Sequence, residues 1–178
     1  DGCVYSNGLR VNETEDWKQY TGSFIDGRFL IDFYTPEEYF TFIGKVYNIS
    51  TETINQRLEN YSSLMHDEIL GTKKYIRDFS EGNRQKIGII GAMIINPEVL
   101  ILDEPFNYLD PSSQINIAKM IQGACHEFGM TVILSSHNLN FVSDISTRIL
   151  LLEKGLVIKD LKNEEGSAMK ELEEYFGA

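Results

Sequence analysis

Cysteine is scarce in this chain, and so are long apolar runs. Cys3 and Cys125 are the only two cysteines. They are too few for a disulfide framework and lack the spacing of a metal site, so we expect two reduced thiols in a cytosolic protein. The longest uninterrupted apolar stretch, IGIIGAMII at 87–95, falls far short of the roughly 20 residues that span a bilayer. These features disfavour a disulfide-stabilised secreted domain, and we expect no direct membrane insertion.

Basic residues are also few. The chain has 16 lysines and arginines against 27 aspartates and glutamates, for a formal net charge of −11. No Lys/Arg-rich run appears, which argues against a nucleic-acid partner. The acid excess argues against adhesion to an anionic membrane surface, although docking onto a membrane protein stays open. With 42% apolar residues among 178, the composition is that of an ordinary globular protein with a substantial core.

The order of predicted elements indicates an α/β protein. Short strands and turns occupy residues 1–33, and a small helical insert follows at 35–79, opened by a capping box in TPEE. From Ser80 onward, helices alternate with apolar strands such as VLIL and TVILSS. This alternation predicts a largely parallel sheet with helices on both faces, and ligands bind at the carboxyl ends of such strands. We divide the chain into four predicted segments, 1–34, 35–79, 80–159 and a tail at 160–178.

Two adjacent carboxylates, Asp103 and Glu104, follow the predicted strand VLIL. A carboxylate at a strand end can hold Mg²⁺, usually through water, and a second carboxylate can orient and polarise an attacking water. Because side chains alternate along a strand, the two are expected to point apart and to differ in function. The alternative interpretation is a solvated acidic turn after a core strand.

Two further features are predicted to lie at the same edge of the sheet. His137 closes the next strand, TVILSSH, where it could touch a terminal phosphate, although a structural histidine is the alternative. Ser80 is a predicted helix N-cap, and Gly82 allows close approach to the backbone. Free N–H groups and the helix dipole make such a terminus an anion site, and an ordinary cap is the alternative.

The order and spacing of four motifs resemble those of the ATP-binding cassette (ABC) ATPase family, over nearly the whole chain. FSEGNRQK resembles the signature motif, VLILDEP the Walker B strand, NYLD the D-loop and SSH the switch histidine. GSFIDGRFLIDFYTPEEYF resembles the Q-loop region, with Asp26 where the family usually has Gln. The resemblance implies a P-loop NTPase-type fold with an α-helical subdomain at 35–79, and ATP and Mg²⁺ as cofactors.

The same resemblance implies a function for each matched residue. Glu104 would be the general base for the attacking water, Asp103 would bind Mg²⁺ through water, and His137 would contact the γ-phosphate.

The remaining matched residues would act between subunits. In the signature motif, three residues would cap the γ-phosphate of ATP held by the other subunit: Ser80, Gly82 and Asn83. Asp110 would link the two sites across the dimer. Asp26 would couple the nucleotide to the transmembrane partner, with a turn aspartate before Gly27 as the alternative.

Several positions depart from the family pattern. Glu81 replaces the usual second-position Gly of the signature and Asn83 replaces its Gln, which we interpret as a trait of exporter-type cassettes. The phosphate loop G-x-x-x-x-G-K-[ST] is absent, since the only Gly-Lys pair, Gly44-Lys45, is followed by Val46. The chain therefore resembles roughly the last three quarters of a nucleotide-binding domain, and we expect it to be inactive on its own.

The leading functional hypothesis is the ATP-hydrolysing subunit of an exporter-like transporter, at the cytoplasmic face of the cell membrane. It would form a homodimer or pseudodimer beneath a separate permease. The aromatic residues Tyr39, Phe40 and Phe42 of the helical insert favour a docking surface there, with packing inside the insert as the alternative. The competing hypothesis is a non-catalytic or soluble ABC-type regulatory protein. Repair and chromosome types need long coiled-coil heptads, which are absent.

Overall fold

A three-stranded parallel sheet organises the first of the two units into which the chain divides, 1–135 and 136–178. The computed structural model describes residues 2–65, 67–164 and 166–177. A short antiparallel hairpin precedes the sheet, whose order is β3-β4-β5. The strands of this unit are β1 (Tyr5–Ser6), β2 (Leu9–Arg10), β3 (Thr21–Phe24), β4 (Val99–Leu102) and β5 (Thr131–Leu134).

Helix starts in this unit follow the predicted capping signals. Thr35 and Glu38 form a reciprocal capping box, and Ser50 and Ser80 each accept a backbone N–H of the following helix. Gly129 ends the longest helix in the left-handed conformation, with φ 64°. The α-helices are α1 (Pro36–Val46), α2 (Thr51–Glu59), α3 (Ser62–Met65), α4 (Glu81–Met93) and α5 (Pro111–Phe128), with 3₁₀ turns at Asp16–Tyr20, Gly27–Phe29 and Ile76–Asp78.

Helix α4 packs against the sheet at very short range. A Cβ added at Gly88 would lie 2.0 Å from the ring of Phe24, and one at Gly22 would lie 2.1 Å from the main-chain oxygen of Ala92. Both glycines are therefore required by the close approach of helix and strand. On the opposite face of the sheet, Ile101 and Ile133 are exposed, the latter by 58%.

Burial within α1 corrects one prediction about the helical insert. Phe40 is completely buried, so it is not available for docking. Phe42 stays partly exposed, and two more exposed aromatic residues, Phe33 and Tyr75, lie outside α1. Exposed aromatic residues are therefore found outside α1 as well as within it.

The second unit consists of a hairpin and two helices. Strand β6 (Arg148–Glu153) pairs antiparallel with β7 (Leu156–Lys162). They are joined by the predicted turn at Lys154 and Gly155, both in left-handed conformations. Helices α6 (Leu139–Ile145) and α7 (Met169–Phe176) contribute to a small core around Ile149, Ala168 and Leu172. Within the described parts of both units, no helix is long and apolar enough to cross a membrane.

Candidate active site

Asp103, the predicted Mg²⁺ ligand, lies at the carboxyl edge of the parallel sheet. Its N–H donates to the oxygen of Phe24 at 3.0 Å, while the N–H of Ser135 donates to the oxygen of Leu102 at 3.0 Å. These bonds continue both sides of the β4 ladder past its last residue. Asp103 is exposed, so its carboxylate stands at the place where parallel sheets bind ligands.

Ser135, which directly follows β5, forms hydrogen bonds with both predicted site residues, Asp103 and Glu104. Its hydroxyl donates to Oδ1 of Asp103 and accepts the N–H of Glu104 at 3.0 Å. The sequence pattern did not identify Ser135 as a site residue, although it stands two positions before His137 in the SSH motif. A hydroxyl at the end of the neighbouring strand was the available signal.

The backbone of Glu104 departs from the strand conformation. Its φ is 45°, in the left-handed region that residues with a Cβ uncommonly occupy. The expectation that alternation would point Asp103 and Glu104 apart assumed an extended backbone, which Glu104 does not have because the strand ends first; that the two side chains point apart stays a prediction. The carbonyl of Glu104 accepts a hydrogen bond from Nε2 of Gln85 at 3.2 Å, a second residue that sequence reasoning missed.

The predicted signature segment forms the N-terminus of α4. Ser80 is the N-cap, and its hydroxyl accepts the N–H of Asn83 at 3.3 Å. A Cβ added at Gly82 would lie 2.6 Å from the main-chain oxygen of Tyr108, in the segment that resembles the D-loop. The structure therefore gives Gly82 a packing requirement in addition to its predicted nearness to a phosphate.

Asp26 caps the 3₁₀ turn Gly27–Phe29 and is engaged by its neighbour. Its carboxylate accepts the backbone N–H of Arg28 at 2.7 Å and two guanidinium N–H groups at 3.0 Å. The side-chain hydrogen bond of Arg28 lowers the pKa of the Asp26 carboxyl. Arg84 of α4 donates to the oxygen of Gly27 at 2.8 Å, which connects this turn to the signature helix. The predicted coupling function of Asp26 stays a prediction.

Asp110 and His137 are placed by helix starts in different units. Asp110 is the N-cap of α5 and accepts the backbone N–H groups of Ser112 and Ser113, each at 3.0 Å. The hydroxyls of Ser112 and Ser113 hold the pKa of the Asp110 carboxyl well below its usual range. His137 belongs to the second unit, where it precedes the α6 N-cap Asn138. Its contact with a phosphate stays a prediction.

The donor set around Asp103 fits one kind of metal ion. Mg²⁺ is usually held by one or two carboxylates together with waters and substrate phosphates. Asp103 supplies an exposed carboxylate. The hydroxyl of Ser135 donates to this carboxylate and fixes its orientation. Within 2–65, 67–164 and 166–177, no group of three or more His, Cys, Asp or Glu side chains could hold a metal. The arrangement suits a Mg²⁺ shared with a phosphate better than an all-protein cage.

Sequence comparison finds a family match and relatives that are named as ATP-binding proteins. Residues 12–143 match the family described as "AAA domain, putative AbiEii toxin, Type IV TA system". The methionine import ATP-binding protein MetN of Campylobacter jejuni is 36% identical over 121 residues, which are 66% of this chain and 35% of that protein. The energy-coupling factor transporter ATP-binding protein EcfA2 of Clostridium tetani is 37% identical over 131 residues, 71% of this chain and 44% of that protein. The chain thus spans less than half the length of these relatives.

Solved structures confirm the predicted fold class. An ATP-binding subunit of an ABC transporter superposes with a TM-score of 0.82 at 22% identity, covering 99% of this chain and 71% of that one. The ATP-binding cassette MJ0796, in a dimeric post-hydrolysis state bound to ADP and Pi, gives 0.79 at 22% identity, with 92% and 74% covered. At these identities the likeness establishes the P-loop NTPase-type fold.

Proposed function

We propose, on the premise that this chain belongs to the AAA-domain family and is a nucleotide-binding domain of the ABC ATPase type, that it serves an ABC transporter. In the intact protein it binds and hydrolyses ATP to power substrate movement through a separate permease. The observation that carries this proposal is the acidic pair at the end of β4, where Ser135 contacts both Asp103 and Glu104. The names of the curated relatives support a function in transport.

The proposed chemistry assigns different tasks to the two carboxylates. Glu104 orients the attacking water and accepts its proton as the bond to the γ-phosphorus forms and ADP leaves. Asp103 holds Mg²⁺ through water, with Ser135 fixing the direction of its carboxylate. The metal, when bound, neutralises charge on the phosphates. His137 contacts the γ-phosphate in this proposal.

The proposed active unit is a homodimer or pseudodimer of ATPase domains. Ser80, Gly82 and Asn83 present the N-terminus of α4 to the nucleotide held by the other subunit, where the helix dipole favours an anion. Asp110 links the two sites. The negative charge of Glu81 in the first turn weakens this contact with the phosphate. The dimer reported for the MJ0796 cassette supports this arrangement.

The proposed permease contact is an aromatic–arginine cluster made of Phe33, Tyr75 and Arg77. The Arg77 guanidinium carbon lies 4.7 Å from the ring centroid of Phe33 and 5.4 Å from that of Tyr75. Both rings are exposed. Aromatic residues and arginine are enriched where protein interfaces are buried. Docking here places the protein at the cytoplasmic face of the membrane, as a peripheral subunit.

Replacing Glu104 with Gln in the full-length protein tests the proposal. We expect steady-state ATPase turnover to fall by the roughly 10²–10⁴-fold that a positioned base contributes, with Mg-ATP binding retained. The matched control is Glu98→Gln. Glu98 is an exposed carboxylate at the opposite end of the same strand, where it contacts Asn7. Unchanged turnover in Glu104→Gln would remove Glu104 from the chemistry.

A further inference from the structure

We propose that Gln85 is a positioning residue that holds Glu104 in its active conformation from the signature helix. The inference rests on the proposed function of Glu104 as the general base. It adds a second residue, on a different element, whose only task in the reaction is to fix the backbone of that glutamate.

The backbone conformation of Glu104 is unfavourable and needs stabilising contacts from other residues. A residue with a Cβ disfavours positive φ, and a residue that precedes a proline favours an extended backbone. Glu104 has φ 45° and is followed by Pro105. Two side chains from other elements contact its peptide groups: Ser135 accepts its N–H at 3.0 Å, and Gln85 donates to its oxygen at 3.2 Å.

Gln85 is itself fixed in place. Its residue is only 7% exposed and lies in α4, which is buried from Gln85 through Met93. Gly82, one turn before it, abuts the backbone of Tyr108, and Gly88, one turn after it, abuts the ring of Phe24. A donor held in this way restricts where the carbonyl of Glu104 can lie, together with the N–H of Asn107, which donates to the same oxygen at 3.2 Å.

The placement of Gln85 joins two parts of the proposed reaction. The N-terminus of α4 carries Ser80 and Gly82, which face the nucleotide of the other subunit in the proposed dimer. One turn further along the same helix, Gln85 contacts the backbone of the base. A shift of α4 therefore moves the Gln85 amide, which donates to the oxygen of Glu104. The position of the signature helix and the orientation of the base are thus linked through this side chain.

The first test is Gln85→Met in the full-length protein. Methionine has a similar length but no N–H donor, so the Glu104 oxygen loses the Gln85 bond and keeps the one from the N–H of Asn107 at 3.2 Å. We expect kcat to fall about 10- to 100-fold, as for a reacting group displaced by about 1 Å. The KM for Mg-ATP should not change, since Gln85 touches Glu104 rather than the nucleotide. The matched control is Gln114→Met, which removes a 2.9 Å bond from a glutamine amide to the oxygen of Phe106 and should leave kcat near wild type.

A variant that can regain the donor provides a second, independent readout. Gln85→Glu keeps the size of the side chain, but it donates to the Glu104 oxygen only when protonated. Burial raises the pKa of such a carboxyl, so its kcat relative to wild type should recover as the pH is lowered. This arm also decides the question if Gln85→Met does not fold. A ratio that does not vary with pH would overturn the proposal.

A double-mutant cycle separates this inference from the proposed function. In a Glu104→Gln background, measured by single-turnover hydrolysis, Gln85→Met should cause no further loss, because Gln85 acts only through Glu104. Equal losses in both backgrounds, or a raised KM with unchanged kcat, would overturn the positioning assignment of Gln85 alone. Wild-type turnover in Glu104→Gln would overturn the proposed function first.

Discussion

The contact between Gly82 and Tyr108 leads to a prediction that separates packing from nucleotide binding. In Gly82→Ala, the added Cβ would lie 2.6 Å from the main-chain oxygen of Tyr108, so one of two backbone segments must shift. Forced overpacking of this kind costs about 1–3 kcal/mol. The helix propensity gained by replacing Gly with Ala returns about 0.5–1 kcal/mol. The free energy of unfolding without nucleotide should therefore fall by up to about 2.5 kcal/mol.

Urea unfolding of the full-length protein without nucleotide measures this change. Gly123→Ala is the matched control, because Gly123 lies inside α5 and an added Cβ meets no atom within 4 Å. That variant should be more stable than wild type by about 0.5–1 kcal/mol. If Gly82→Ala were as stable as Gly123→Ala, the packing argument would be refuted, and nearness to a phosphate would remain the reason for the glycine.

Three further predictions concern nucleotide binding, docking and pH. Residues 1–178 alone should show no thermal shift with millimolar Mg-ATP. A folded protein that binds ATP would gain about 2.7 kcal/mol of stability when the ligand is at 100 times its dissociation constant. A clear thermal shift would show that the nucleotide site was misplaced. The double variant Phe33→Ala/Tyr75→Ala should lose co-purification with the permease but keep its ATPase rate, and retained co-purification would exclude this cluster. Asp110→Asn, which can still cap α5, should be less stable than wild type at neutral pH. The folded-state pKa of Asp110 is lowered, so the difference in stability is present above the unfolded-state pKa of about 4. It should shrink as the pH falls below that pKa. A stability difference that does not depend on pH would contradict the reasoning.

Much of the fold could be predicted because its signals are local. Thr35 and Glu38 are three residues apart and form the predicted capping box. The start of α5 follows from Asp110 and Pro111, and its end follows from Gly129. The strand β4 lies at 99–102 as predicted. Each of these signals acts over one or two helical turns, so the sequence pattern contains the information.

The contacts that hold Glu104 could not be predicted in the same way. Gln85 lies 19 residues before Glu104, and Ser135 lies 31 residues after it. Only the folded sheet brings these residues together. One indirect signal is available: Gln85 precedes the apolar run of α4 by two positions and shares a helix face with Ile89, a pattern typical of a buried position. A buried amide needs a partner, although the pattern does not say which one.

Strand geometry ends between Asp103 and Glu104, and this decides how each of the two residues is oriented. Asp103 still donates to Phe24 in the sheet, so its carboxylate is fixed at the edge by strand geometry. Glu104 turns into the left-handed region one residue later, and its peptide groups contact Gln85 of α4, the N–H of Asn107 and Ser135, which follows β5. Because one hydroxyl, that of Ser135, contacts both residues, the proposed metal carboxylate and the proposed base keep a defined relation despite their different backbones. Two tasks can therefore be placed on consecutive residues, one oriented by the sheet and the other by the helix that carries the signature motif.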